Sequence, residues 1–222
     1  TKTFAGQPEN ANLDDLSIEI SSGTTATTIT YADFNENGEY IIENIPVGTK
    51  YTVTETNAET LITNYTLAAN SVTSGEATIT KDTEAVIALT NTYTQDLGSL
   101  KITKTFSGQP DDADLSKLSF TINDGNEDTV VTYADFDENG EYLIENVPAG
   151  TVYTVTETNA DTFIANYSLS ADSVTEGTAD IVKDETVTIA LSNVYTQDVG
   201  SLKITKTFAG QPENANLDDL SI

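Results

Sequence analysis

The sequence repeats itself with a spacing of 102 residues, and this repeat limits the architectures that the chain can adopt. The stretch TKTFAGQPENANLDDLSI at 1–18 recurs unchanged at 205–222, and the variant TKTFSGQPDDADLSKLSF occupies 103–120. A unit of this length is a normal domain size and is too long for a solenoid repeat that folds only with its neighbours. We therefore predict an alternating array of repeat A (residues 1–96), repeat B (97–198) and the start of a third repeat (199–222).

The charge and composition of the chain exclude several classes of partner and of chemistry. Its 222 residues include 36 Asp and Glu against 9 Lys, with a formal net charge of −27. Such an acidic surface argues against binding to nucleic acid or to an anionic membrane, and we expect no membrane insertion. The chain has no Cys for disulfides and no His, the commonest general base. No apolar run reaches membrane-spanning length and no signal peptide opens the chain, so we expect any export or anchoring signal to lie outside these residues.

Each repeat has the pattern of successive β-strands. Alternating polar and apolar residues, rich in Val, Ile, Thr and Tyr, indicate strands that bury one face. The clearest of these segments are GEYIIENI (38–45), TKYTVTET (49–56), EATIT (76–80), AVIALTNTY (85–93) and SLKITKTF (99–106). We predict that each repeat is an antiparallel, immunoglobulin-like β-sandwich of about seven strands.

The segments between the strands predict turns and a stiff array. Asn37-Gly38 and Asn139-Gly140 are signals for hairpin turns, and residues 10–16 and 112–118 each favour one short helical turn. The junctions TQDLGSL and TQDVGSL between repeats are short and poor in Pro and Ser. Short junctions favour an elongated rod over a flexible string of domains.

Three polar residues of each repeat fall on strand faces that are otherwise apolar. In SLKITKTF, Lys104 shares a face with Leu100 and Ile102, and the same alternation puts Glu157 and Asn193 among apolar neighbours. The equivalent residues of repeat A are Lys2, Glu55 and Asn91. Unpaired buried polar groups cost roughly 1–3 kcal/mol each even before charge is counted. We therefore expect the three side chains of each repeat to meet.

The chemistry of these three groups is complementary. Burial favours the neutral forms of an amine and of a carboxyl group. A neutral lysine amine is a nucleophile, and an Asn side-chain amide is an acyl group that it can attack. A protonated Glu that hydrogen-bonds the Asn oxygen would polarise the carbonyl and relay the proton. The expected product is an amide between the first and last strands, with release of ammonia.

The motifs around these residues resemble those of the Cna B-type domains of Gram-positive surface adhesins and pilins. The resemblance covers both complete repeats and lies in SLKITKTF, in GEYIIENIPVGTKYTVTET with its counterpart at 140–158, and in IALTNTY with its counterpart at 189–195. Those domains carry self-formed intramolecular isopeptide bonds. The resemblance implies catalytic roles for Glu55 and Glu157, cross-links Lys2–Asn91 and Lys104–Asn193, an unpaired cross-link lysine, Lys206, in the third repeat, and no cofactor.

Repeat A departs from the pattern because it begins at Thr1, without the SLKI that precedes the lysine elsewhere. Its first strand is therefore truncated, and we expect Lys2 to be held loosely and its bond to be incomplete. The alternative interpretation of the lysines is an edge-strand charge that blocks aggregation.

A calcium site is a weaker alternative for the acidic turns. DFNENGEY (33–40) and DFDENGEY (135–142) resemble the start of a calcium loop, with candidate ligands Asp33, Asn35, Asn37, Asp135, Asp137 and Asn139. The twelfth position of such a loop should be Glu, but it is Asn44 and Asn146 here. The Asn-Gly turn explains the same residues.

These features together predict a structural role outside the cell. We expect the chain to form the stalk of a bacterial adhesin or fibre on the cell surface or cell wall, stiffened by cross-links and in contact with neighbouring repeats. The alternatives are a module that binds a host protein or glycan, and a subunit of a polymerised pilus that self-assembles into fibres. An enzyme that acts on external substrates is not expected, because the reactive groups would be consumed in a single turnover.

Overall fold

The computed structural model describes residues 1–210 and 212–214, and it is built from β-strands joined by turns. Repeat A contains β1 Lys2–Ala5, β2 Ser17–Ser22, β3 Thr25–Thr30, β4 Lys50–Glu55, β5 Tyr65–Leu67, β6 Ser74–Thr78 and β7 Leu89–Gln95. Repeat B contains β8 Leu97–Ser107, β9 Ser119–Asn123, β10 Asp128–Thr132, β11 Glu141–Pro148, β12 Val152–Glu157, β13 Tyr167–Leu169, β14 Glu176–Asp180 and β15 Thr186–Gln197. Short 3-10 helices span Tyr31–Asp33, Ala58–Thr60, Leu115–Lys117 and Tyr133–Asp135.

Repeat B is a sandwich of two four-stranded sheets, with strand orders β11-β8-β15-β13 and β10-β9-β12-β14. Its core contains Leu100 and Ile102 from the first sheet, and Phe120 and Val155 from the second, all fully buried. The expectation of an all-β sandwich is confirmed. The strands pair antiparallel except that β8 and β15, the first and last strands of the repeat, run parallel.

Repeat A has the same second sheet, β3-β2-β4-β6, but its first sheet, β1-β7-β5, has only three strands among the described residues. The predicted strand at 38–45 does not form, which corrects the sequence-based expectation for this repeat. In repeat B the equivalent strand β11 pairs with Leu97–Thr103 of β8, and the sequence of repeat A has no counterpart of residues 97–102. A strand forms only against a neighbouring strand, and without one residues 39–45 adopt no strand. A groove of about 560 Å³ lies beside them, lined by apolar residues that include Ile18, Ile29, Phe34, Ile41, Ile87 and Leu89.

The two Asn-Gly turns form, but they are not hairpins. Gly140 has a φ of +73°, and the turn leads from β10 in one sheet to β11 in the other. β11 pairs with β8 rather than with β10. The turn packs on the first strand instead: the Lys104 amide donates to the Gly140 carbonyl at 2.8 Å. The hairpin prediction is therefore wrong, because a turn signal specifies local geometry and not the pairing of the flanking strands.

The helical turn predicted at 112–118 is present as the 3-10 helix Leu115–Lys117, whereas residues 10–16 form turns without a helix. In the third repeat, residues 199–210 form no strand, and Lys206 is exposed. Residues 211 and 215–222, which the sequence assigns to the third repeat, lie outside the described part of the chain. Within the described residues, none of the helices is both long and apolar enough to cross a bilayer.

Candidate functional site

The fold of repeat B brings together Lys104, Glu157 and Asn193. Lys104 lies on β8 and Asn193 on the neighbouring strand β15, where Phe106 is the Cα partner of Asn193. The two side chains are therefore two positions apart in register on one face of one sheet. Glu157 ends β12 in the opposite sheet, so its side chain reaches the other two across the core.

The carboxylate of Glu157 connects the other two groups. Its Oε1 lies 2.5 Å from Lys104 Nζ, and both side chains have no exposed surface. Its Oε2 accepts a hydrogen bond from Asn193 Nδ2 at 2.8 Å. Asn193 is buried, with 1% of its surface exposed. One carboxylate thus holds the amine and the amide together in a site from which water is excluded.

The site in repeat A contains the equivalent residues in a looser arrangement. Lys2 Nζ lies 2.6 Å from Glu55 Oε1, and both side chains are fully buried. Within the described part of repeat A, Asn91 makes no hydrogen bond to Glu55, and its Nδ2 donates to the Tyr93 hydroxyl at 3.4 Å. The two repeats therefore share the ion pair and differ in the position of the amide.

We expected Lys2 to be held loosely, whereas its side chain has no exposed surface in the structure. Three backbone contacts hold Thr1 and β1 in place. The Lys2 amide donates to the Gly38 carbonyl at 2.8 Å, and the amide of Leu89 donates to the Thr1 carbonyl at 2.9 Å. The terminal ammonium of Thr1 donates to the Ile87 carbonyl at 2.8 Å.

Burial removes water from the side chains of Lys2 and Lys104 and so disfavours their charged forms. It lowers the pKa of Lys104 below the ordinary 10.5, and the hydrogen bond and charge of Glu157 oppose this shift. Burial likewise lowers the pKa of Lys2, against the opposing effect of Glu55. Lys104 Nζ also lies 5.0 Å from the centroid of the Phe106 ring, a cation–π contact. The environment therefore favours the neutral amine more than water does.

A tyrosine hydroxyl is a fourth component of the site that the sequence analysis did not identify. Tyr195 OH accepts a hydrogen bond from Asn193 Nδ2 at 3.1 Å and donates to the Ala160 carbonyl at 2.9 Å. Burial raises the pKa of Tyr195 to about 12, so the phenol stays protonated. Tyr93 makes the equivalent contact to Ala58 in repeat A. The available signal was the Asn-x-Tyr spacing common to both repeats, which in a strand puts both side chains on one face.

The amide orientation differs from the one expected from the sequence. Glu157 faces the amide nitrogen of Asn193, not its oxygen, and the buried Oδ1 has no hydrogen-bond partner among the described residues. An ionised carboxylate can only accept hydrogen bonds, so it binds the amide NH₂. The carboxyl group of Glu157 can donate a hydrogen bond to Asn193 Oδ1 only after it has taken a proton.

The acidic turns use their oxygen atoms for backbone hydrogen bonds. Asp137 Oδ1 accepts from the amides of Asn139 and Glu141 at 2.9 and 2.8 Å. Asn35 Oδ1 accepts from the equivalent amides of Asn37 and Glu39. Asp33 and Asp135 cap the 3-10 helices through the amides of Thr30 and Thr132. Among residues 1–210 and 212–214, no group of three or more acidic side chains is placed to hold a metal ion.

Comparison with known proteins finds solved structures that are similar to the chain and one family model that matches it. Among curated proteins, none matches the chain. The chain is similar to the Bacillus anthracis TIE protein, with 20% identity over 87% of its length and a TM-score of 0.48, and it spans only 33% of that protein.

Two further solved structures are similar over most of their own length. A C-terminal fragment of the pilus adhesin SpaC from Lactobacillus rhamnosus GG is 13% identical, with a TM-score of 0.45 and coverage of 92% of this chain and 98% of the fragment. A single B repeat unit of the collagen-binding surface protein of Staphylococcus aureus is 15% identical, with a TM-score of 0.28 and coverage of 89% and 96%. A family model described as Domain of unknown function (DUF5979) matches residues 1–94 and again residues 100–196, one match in each repeat. The chain therefore belongs to the DUF5979 family and carries two copies of its domain.

Proposed function

We propose that each complete repeat joins its first and last strands by an amide bond between the lysine Nζ and the asparagine Cγ, with the glutamate as proton relay. The observation that carries this proposal is the fully buried contact of Glu157 with both Lys104 and Asn193. A buried ion pair by itself stabilises a fold only weakly, because the cost of desolvation offsets most of the attraction.

The reaction needs no group beyond the three side chains. Glu157 Oε1 takes a proton from the Lys104 ammonium, and the resulting amine attacks Asn193 Cγ. The carboxyl then gives its proton to Nδ2 and takes a second proton from Nζ. The bond between Cγ and Nδ2 breaks, ammonia leaves, and the new Nζ–Cγ amide keeps one hydrogen while the carboxyl ends protonated.

The geometry supplies what this slow reaction lacks in solution. Fixed proximity and orientation can provide about 7–11 kcal/mol of a barrier. The two oxygens of Glu157 are divided between the proton donor and the leaving group, at 2.5 Å from Nζ and 2.8 Å from Nδ2. Each repeat has to react only once.

The bond gives the repeat a mechanical role. It would join β8 to β15, the strands by which the chain enters and leaves repeat B, so tension would pass through a covalent bond and not through the sheet hydrogen bonds. We infer that the chain is part of the stalk of a Gram-positive adhesin or fibre and lies outside the cell. The motif resemblance to Cna B-type domains supports this assignment, as does an acidic, Cys-free composition that cannot use disulfides.

The mass of the intact, denatured chain tests the proposal. Closure of both repeats gives a mass lower than the sequence mass by two ammonia molecules, and fragmentation should find peptides joined through Lys104–Asn193 and Lys2–Asn91. A deficit of one ammonia, with the link in repeat B, would identify repeat A as the unreactive copy. A mass equal to the sequence mass would overturn the proposal.

A further inference from the structure

The junction between the repeats is a built contact around Asp96, the single residue between β7 and β8. Its amide donates to the Asn64 carbonyl at 2.9 Å, and its carbonyl accepts from the Ala149 amide at 2.8 Å. Its carboxylate Oδ1 accepts from Thr66 Oγ1 at 2.5 Å and lies 3.0 Å from Lys183 Nζ. Lys183 also contacts the Thr66 hydroxyl. Asn64 and Thr66 belong to repeat A, and Ala149 and Lys183 to repeat B, so Asp96 joins the two.

The same acceptor surface is present at the far end of repeat B. The Asp198 amide donates to the Asn166 carbonyl at 2.9 Å, and Ser168 Oγ donates to Asp198 Oδ1 at 2.6 Å. These are the counterparts of the contacts among Asp96, Asn64 and Thr66. Asp198 is exposed, whereas the Asp96 side chain is only 12% exposed behind Lys183. The acceptor side is therefore formed before a partner is in place.

The complementary donor surface is present and exposed at the near end of repeat A. Lys81 is the counterpart of Lys183, and its side chain is 82% exposed. Val47 is the counterpart of Ala149, and it is 65% exposed, whereas Ala149 is 6% exposed at the formed junction. Each repeat thus carries an acidic acceptor surface at one end. At the other end it carries a lysine and a Pro-x-Gly loop, which spans residues 46–48 in repeat A and 148–150 in repeat B.

We propose that the surface of Asn166, Ser168 and Asp198 is a docking site for a following repeat, which binds it with a lysine and a Pro-x-Gly loop. The contact seen at Asp96 is then the unit that fixes the angle between successive repeats along the array. The partner is defined by its chemistry: an ammonium for the carboxylate and a loop amide for the carbonyl of the junction residue.

Close packing makes the contact directional. A Cβ added to Gly150 would lie 2.2 Å from Asn64 Nδ2, and its φ of +86° is one that L side chains rarely adopt, so any other residue would displace the Asn64 side chain and strain the loop. The hydrogen bond from Thr66 and the charge of Lys183 also lower the pKa of Asp96, which keeps its carboxylate ionised as an acceptor. A partly exposed ion pair contributes little to stability by itself. Here the same carboxylate oxygen also accepts from the Thr66 hydroxyl, and the Asp96 carbonyl accepts from the Ala149 amide, so the contacts together select one orientation.

Distance distributions between spin labels test the existing junction. The chain has no Cys, so Thr27→Cys and Thr129→Cys place one label on equivalent exposed strands of the two repeats. We expect a narrow distribution in the otherwise unchanged chain, and a width that roughly doubles in Lys183→Gln, because domain motion is the default once the interface is lost. The matched control is Lys81→Gln, which removes the equivalent, 82% exposed lysine that contacts no other repeat among the described residues. Equal widths in Lys183→Gln and Lys81→Gln would overturn the proposal.

A chain with a completed third repeat tests the docking site itself. Residues 205–222 repeat 1–18, so adding a copy of residues 19–96 after Ile222 completes the repeat with the chain's own sequence. With labels in repeat B and in the third repeat, Asp198→Asn should broaden the distribution, and Asp161→Asn, another exposed aspartate, should not. A broad distribution that Asp198→Asn leaves unchanged would show that Asp198 docks nothing. Neither experiment depends on the cross-link, which the intact mass reports separately.

Discussion

Asn193 Nδ2 lies 2.8 Å from Glu157 Oε2, inside a core that water does not reach. The other oxygen of this carboxylate holds Lys104 at 2.5 Å. The leaving group and the nucleophile therefore contact the same carboxylate through different oxygens. An ion pair with Lys104 alone would occupy only one oxygen of Glu157, whereas here the second oxygen binds the Asn193 amide.

Replacement of this carboxylate should stop the reaction in one repeat only. Glu157→Gln keeps the size of the side chain but cannot take the proton from Lys104. We expect the intact mass to rise by one ammonia, apart from the small change of the substitution, and the bond of repeat A to be unaffected. Glu55→Gln is the matched variant and should have the converse effect. A Lys104–Asn193 link found in Glu157→Gln would exclude the relay role.

Loss of the bond should also lower the stability of repeat B. In the chain-entropy treatment of disulfides, closing a loop of about 90 residues stabilises a protein by about 4–5 kcal/mol. We expect Asn193→Ala to lower the free energy of unfolding of repeat B by this order, as measured by chemical denaturation. The control is the same substitution in the Glu157→Gln background, where no bond exists to lose and the effect should be much smaller.

The hydroxyl of Tyr195 should set the rate of the reaction. It accepts from Asn193 Nδ2 and donates to the Ala160 carbonyl, so it fixes the plane of the amide. Tyr195→Phe removes this contact without removing the ring, and a hydrogen bond worth about 1 kcal/mol corresponds to roughly fivefold in rate. The rate is followed by intact mass after a pulse of cell-free synthesis. If the variant cross-links as fast as the unchanged chain, the Tyr195 hydroxyl has no effect on the reaction and the side chain acts only in packing.

The sequence predicts much of this architecture because strand alternation is a local property. The period of two residues puts Lys104 in phase with Leu100 and Ile102, and the structure buries all three. The role of Tyr195 was not predicted, because an aromatic residue in phase with apolar residues is expected to pack in the core. Its hydroxyl donates to the Ala160 carbonyl, which is distant in the sequence and therefore not part of the local pattern.

Local sequence patterns do not determine which strands pair with each other. Residues 39–45 and 141–147 have nearly the same sequence, yet only the second segment is a strand. The difference lies in residues 97–102, which pair with one segment and have no counterpart beside the other. The Asn-Gly turns are similar: the turn is encoded locally, but its packing against the first strand is a property of the fold.

The lowered pKa of Lys104 should make stability depend on pH when the amine is free. In Asn193→Ala the amine cannot react. Between the lowered pKa in the folded state and the ordinary 10.5, the unfolded chain binds more protons, so the free energy of unfolding should rise with pH. Below the folded-state pKa, both states are protonated and the dependence vanishes.

The control for this measurement is Lys104→Met in the same Asn193→Ala background. Subtraction of the two profiles removes the titration of all other groups, including Tyr195. A difference that falls as pH rises, or that stays flat up to pH 10.5, would contradict the lowered pKa of Lys104.

The Asn-Gly turn should position the reactive lysine. A Cβ at Gly140 would lie 2.6 Å from the Lys104 carbonyl oxygen, and the φ of +73° adds strain for any other residue. We expect Gly140→Ala to displace the Lys104 backbone and slow cross-linking of repeat B. Gly125→Ala is the control: its φ is +92°, but a Cβ there meets nothing within 4 Å. It should cost stability, roughly 1–2 kcal/mol, without slowing the bond. Equal rates in the two variants would contradict a positioning role for Gly140.

The groove of repeat A should accept the strand segment that fills the same place in repeat B. There, Leu100 and Ile102 are fully buried and their strand pairs with β11 and β15. Extension of the chain by Ser-Leu-Lys-Ile before Thr1 supplies the same side chains. Burial of a Leu and an Ile, at about 1.5–3 kcal/mol each, should stabilise repeat A by up to about 3–6 kcal/mol.

Hydrogen exchange at residues 40–42 is the direct measurement, because their counterparts 142–144 pair with residues 100–102 in repeat B, and they gain this partner only if the added residues occupy the groove. The control extension, Ser-Ser-Lys-Ser, has the same length and charge but no apolar side chains to bury. We expect slow exchange with Ser-Leu-Lys-Ile and fast exchange with the control. If both extensions leave residues 40–42 in fast exchange, the absence of a strand there has a cause other than the missing partner. If both slow the exchange equally, backbone pairing alone forms the strand, and burial of Leu and Ile contributes nothing to it.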